Sequence, residues 1–121
     1  MTIDKIYEYC LHKKGTTEDF PFDQDTLVLK VGGKMFCLTS LKKWEAGDYS
    51  INLKCDPDYA EELRARYEAV EPDYHMSKKH WNTVHVNKDL PFSEVLKLID
   101  HSYDLVFNSL KKIERENIIN N

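Results

Sequence analysis

The chain has 121 residues, 41% apolar and 31% charged, with 17 Lys and Arg against 21 Asp and Glu for a net charge of −4. That length fits one domain around one core, and no apolar run approaches the roughly 18 residues of a membrane span. No basic leader with a hydrophobic stretch opens it, so the reading is a soluble, cytoplasmic protein with no membrane partner.

Ile3, Ile6, Tyr7, Cys10 and Leu11 recur at helical spacing, with Thr2 to cap the start and Gly15 to end the helix. A polar connection, Thr16 to Asp25, follows. The next stretch reads as two strands joined by Gly32-Gly33, which tolerate the positive φ of a two-residue hairpin turn. That turn predicts Leu29 opposite Phe36 and Leu27 opposite Leu38 on a core face, with Val28 opposite Cys37 and Lys30 opposite Met35 on the other. Ile51, Leu53 and Cys55 alternate in a third strand that ends at Asp56-Pro57, a cap and first position for a helix running to about Tyr67.

Past Pro72 the chain reads as irregular until Trp81, where Val84 and Val86 face one way and Trp81, Thr83 and His85 the other. The longest helix begins near Pro91 or Ser93 and carries a stripe of Phe92, Val95, Leu96, Ile99, Tyr103 and Val106. Asn108-Ser109 stops it and caps a short terminal helix, with fraying expected over 117–121. The predicted order is α-β-β-β-α-β-α-α, a single domain over 1–116 in the α+β class, its antiparallel sheet carrying helices mainly on one face.

Charge is segregated along the chain. Thr26 to Trp44 contains Lys30, Lys34, Lys42 and Lys43 and no acid; Tyr74 to Lys88 contains Lys78, Lys79, His80, Trp81 and Lys88 and no acid. Acids concentrate between Asp56 and Asp73. The lysines can neutralise phosphates, and Trp81 and Trp44 can stack on bases or sugars. The net negative charge repels a polyanion unless the basic face is isolated. The plainer account is that Asp and Glu are poor strand formers and that Lys protects sheet edges.

Other constellations carry less. Cys10, Cys37 and Cys55 are odd in number and form no close pair, so packed thiols are expected rather than disulfides or a metal site. The five-residue spacing of His75, His80 and His85 suits neither a helix face nor a strand face, so no metal and no cofactor is assigned. His12 and Cys10 point to different faces of a helix. Asp100, His101 and Asp104 read as a solvated helix flank, and no phosphate loop or nucleophile elbow is present, so no enzyme activity is expected.

The phrases TEDFPF (17–22), KVGGKMF (30–36), NLKCDP (52–57), YHMSKKHWNTV (74–84) and HSYDLV (101–106) resemble the YjbR-like (MmcQ/YjbR) family over nearly the whole chain. The resemblance implies a two-layer α+β domain similar in architecture to type III secretion chaperones and often compared with bacterial frataxin. It also implies a DNA-binding role through a double wing of two hairpins. The chain departs from the family pattern at Asn108-Ser109-Leu110, where a proline often precedes the terminal helix. The resulting expectation is a non-enzymatic protein that binds double-stranded DNA through Lys30, Lys34, Lys42, Lys43, Lys78, Lys79, His80, Trp81 and Lys88. The alternative is a protein-interaction adaptor or homodimer using the outer sheet face, Val28, Met35, Cys37, Trp81 and Thr83.

Overall fold

Thr2 opens the first element: its hydroxyl accepts the Lys5 amide N–H at 3.4 Å, and helix α1 follows over Ile3–Leu11, burying Ile6 and Cys10. The computed structural model describes residues 2–121. Strand β1 (Thr16–Asp19) leads to the hairpin of β2 (Thr26–Val31) and β3 (Lys34–Ser40), whose turn places Gly32 and Gly33 at φ +58° and +78°. Ser40 then caps a five-residue helix, α2 (Leu41–Glu45), and β4 (Ser50–Lys54) follows. The Asp56 side chain accepts the Tyr59 N–H to start α3 (Pro57–Arg66), with proline at its first position. Strands β5 (Val70–Pro72) and β6 (Trp81–His85) precede the long α4 (Phe92–Ser109) and terminal α5 (Lys112–Asn120).

The strands form one antiparallel sheet in the order β1-β2-β3-β4-β6-β5. The fold is therefore α+β, as the sequence predicts, with three short elements added. Strand β1 has an acidic TTED sequence and is held by its pairing with β2, Thr16 against Val31 through Asp19 against Val28. Helix α2 is too short to show a period, and β5 is a three-residue edge strand.

The hairpin register departs from the expected one. Lys30 does face Met35, but Leu29 pairs with Cys37 and Val28 with Leu38, because the ladder shifts between Leu29 and Lys30 and leaves Phe36 as an extra residue on β3. Such a bulge turns two neighbours to one face. Phe36 and Cys37 both enter the main core, and Leu38 moves to the opposite face with Val28 and Trp81. Cys37 is thus corrected from the outer face to the core, where a hydrogen bond with Cys10 and burial push its thiol well up.

Helix α4 covers the core face, burying Val95, Leu98, Ile99 and Val106 over β3 and β4, while Phe92 remains 46% exposed at its start. The tail expected to fray is helical through Asn120. Ile118 packs on the core, a Cβ at Gly15 would meet it at 2.9 Å, and Lys14 Nζ donates to the Ile119 carbonyl at 3.0 Å. Among the described residues, no helix is long and apolar enough to cross a membrane.

Candidate nucleic-acid interface

The sheet register decides which lysines can act together. Leu38 faces Asn52, and Lys54 faces Trp81, so the Lys34 end of β3, the Lys54 end of β4 and the Trp81 end of β6 lie at one end of the sheet. The Lys78–His80 turn sits there too: the His80 carbonyl accepts the Cys55 N–H at 2.8 Å. Strands two positions apart are about 10 Å from each other, so Lys34 and the Lys78–Lys79 pair share this end. All three are exposed.

The remaining expected lysines do not join them. Lys30 is held 3.2 Å from the Asp19 carboxylate across the β1–β2 ladder. Lys42 and Lys43 lie on α2, beyond the far end of β3, about 20 Å from Lys34 at ~3.3 Å per residue. The Lys42 amide N–H donates to Asp25 at 2.7 Å, and the Lys43 N–H to Ser40 Oγ. Lys88 belongs to the same far end, because His85 pairs with Ser50. Its neighbour Asp89 accepts the Glu68 and Ala69 N–H groups, which hold that carboxyl below its ordinary range.

Neither tryptophan offers a free face. Trp81 is 8% exposed and packs with Val28, Leu38, Met35 and Met76. Trp44 is buried, and its Nε1 donates to Thr39 Oγ1 at 2.8 Å and to the Ser50 carbonyl at 3.0 Å. The stacking role expected of both is therefore corrected: their rings are packing groups. Aromatic surface at the Lys78 turn comes instead from Tyr74, 63% exposed, with Lys78 Nζ 4.9 Å from its ring centroid.

Arg64 on α3 positions this turn. Its Nε donates to Asn82 Oδ1 at 2.8 Å, and its Nη2 to the carbonyls of Lys78 and of Trp81, the latter at 3.3 Å. One planar guanidinium thus fastens helix, turn and strand. The sequence reading missed Arg64, Lys54 and Lys111. Lys111 follows Leu110, whose side chain abuts Gly32 at the hairpin tip. No local pattern links residues so far apart in the chain.

The histidines diverge. His75 lines a groove on the outer sheet face, His80 is exposed at the Lys34 end, and His85 faces Glu71 at 3.3 Å and Asp48 at 3.7 Å. Among the described residues, no three His, Cys, Asp or Glu side chains are placed to hold a metal ion. On α4, Asp100 pairs with Lys13 at 2.6 Å and accepts from Tyr9 Oη at 2.7 Å; burial, followed by that hydrogen bond and the carboxylate's charge, raises the Tyr9 pKa to about 12.

Comparison with known proteins agrees with this architecture. The family model described as YjbR matches residues 11–105. The chain is 31% identical over 119 residues to the uncharacterised protein YjbR of Escherichia coli K12, covering 98% of each. It is 34% identical to the uncharacterised protein YbdF of Escherichia coli O157:H7, over 82% of this chain and 79% of that one. The crystal structure of Deinococcus radiodurans protein DR2400 superposes with a TM-score of 0.89 at 35% identity, covering 97% of this chain and 87% of that one. A protein from Pseudomonas syringae does so with a TM-score of 0.72 at 27% identity, over 88% and 99%. With the family model matching most of the chain and the fold shared, the protein belongs to the YjbR family.

Proposed function

We propose that this protein acts by binding rather than by catalysis, and that the hairpin-tip end of its sheet takes double-stranded DNA. The observation that carries the reading is the register: Lys34 and the Lys78–Lys79 turn, 44 residues apart in sequence, lie two strands apart at one end of the sheet. Lys54 and Lys111 flank them, and Arg64 holds the turn in place. The footprint is smaller than the two segments read from the sequence. Lys30 is paired with Asp19, Lys42, Lys43 and Lys88 belong to the far end, and Trp81 is internal. Contact is therefore by phosphate neutralisation without base stacking by tryptophan, which supplies affinity but little sequence preference.

Fluorescence anisotropy with a labelled duplex tests this. Lys34→Ala and the Lys78→Ala/Lys79→Ala pair should each weaken binding on every sequence alike, while the triple change at Lys42, Lys43 and Lys88 leaves it unaltered. Equal loss from the two ends, or binding that ignores salt, would contradict the assignment.

The alternative of an adaptor on the outer sheet face keeps less ground. Met76 packs against Val28, Leu38 and Trp81, leaving Phe22 as an exposed aromatic lining the groove on that face. Light scattering that finds a concentration-dependent dimer abolished by Phe22→Ala would restore it.

A further inference from the structure

We propose that the groove on the outer face of the sheet binds a small organic cation, an amidinium, guanidinium or ammonium group carried on a flat apolar body. The groove measures about 540 Å³, within the range of roughly 300 to 1,000 Å³ of small-molecule sites. It joins two of the sequence phrases singled out above, since Phe22 comes from 17–22 and His75 and Met76 from 74–84. Phe22, Leu38 and Met76 give it apolar walls; Asn52 and Asp73 contribute polar groups.

Asp73 points to the ligand. The residue is 2% exposed, its Oδ1 accepts the His75 N–H at 3.0 Å, and its Oδ2 is buried with no hydrogen-bond partner. A buried carboxylate oxygen without a donor is costly, and a cationic donor removes that cost with a charge-assisted bond. Asp25, the other acid of the lining, is already engaged by the Ser40 hydroxyl at 2.6 Å and the Lys42 N–H at 2.7 Å. Against these two carboxylates stands one ammonium, Lys43, so the lining favours a positive guest. Phe22, 63% exposed, offers an aromatic face for the body of the ligand. Oδ2 is closed to bulk water, so occupation requires the segment over it to move.

The site lies on the sheet face, apart from Lys34 and Lys79, so failure of DNA binding leaves it untouched. Amide and methyl NMR spectra of the full chain, titrated separately with benzamidine and with its uncharged counterpart benzamide, test it. Benzamidine should move the His75 and Met76 signals and bind at least about ten-fold more tightly than benzamide. Asp73→Asn should abolish that preference, and Phe22→Ala, at an exposed position, should weaken benzamidine binding. Should the asparagine variant not fold, the contrast between the two probes on the wild type decides. Equal binding of the two probes, no binding, or shifts confined to other surfaces would overturn the proposal.

Discussion

Ser102, fully buried on α4, ties β3 to β4 beside the Phe36 bulge, just past the Cys37–Leu53 pair: its hydroxyl donates to the Phe36 carbonyl at 2.5 Å and accepts the Lys54 N–H at 2.9 Å. Ser102→Ala leaves two backbone groups without partners, an expected loss of about 3 kcal/mol. Urea denaturation should show a lower midpoint at unchanged slope; an unmoved midpoint would mean that water takes over both bonds. The neighbouring His101 makes a different link. Its Nε2 accepts the N–H of Asp56, the cap of α3, at 3.1 Å, and its ring meets Tyr59 edge-on at 5.1 Å. Burial holds its pKa below the ordinary 6.5, outweighing the upward pull of Asp56 and Asp104. The folded state thus prefers the neutral ring, as the accepted hydrogen bond requires. Its contribution is complete above the unfolded value near 6.5 and is lost as pH falls from there through the lower folded value. Thermal melts between pH 7.5 and 5 should therefore decline less in His101→Gln than in wild type, and parallel declines would refute the link.

Two tight contacts set the elements around the basic end. At the hairpin tip, a Cβ on Gly32 would lie 2.6 Å from Leu110 Cδ1, whereas one on Gly33 meets nothing within 4 Å; both residues have positive φ. Gly33→Ala should cost about 1 kcal/mol for left-handed backbone alone, and Gly32→Ala more, because the α4–α5 junction must also move. Equal losses in denaturation would show that Leu110 yields freely. The Lys78 turn depends on Arg64 in the same way. Arg64→Ala should speed amide exchange at Trp81, and Arg64→Lys should not restore protection, since an ammonium lacks the planar fork that serves several acceptors together. These contacts also mark what was legible beforehand. Helices α1, α3 and α4 and the Gly32-Gly33 hairpin follow from period, caps and turn residues, all local signals. The Phe36 bulge is matched by a serine 66 positions away, β1 and β5 exist through their partners, and the groove assembles Phe22, Leu38, Asn52 and Asp73 from four separate stretches. Alternation placed Trp81 on the outer face correctly, but could not show that Met76 would cover it.

At the scale of the whole molecule, a net charge of −4 and a basic end coexist because chain segregation becomes spatial only in part. Lys34 of β3 and the lysine turn that precedes β6 lie two strands apart at the hairpin-tip end, while α2 carries Lys42 and Lys43 to the opposite end of the same sheet. The basic end is not free of acids either, since Asp56 and Asp58 open α3 beside Lys54. The overall field thus opposes a polyanion at long range and favours it only within about one Debye length, ~10 Å at 0.1 M salt. Two consequences separate this arrangement from a broad basic surface. If Lys34, Lys78 and Lys79 each release one phosphate counterion, the logarithm of the DNA affinity should fall against the logarithm of salt with a slope of about −3. Each alanine substitution among them should then make the slope shallower by about 1. A slope near −6 would require the far-end lysines as well, which a single duplex face could engage only by spanning the length of the sheet.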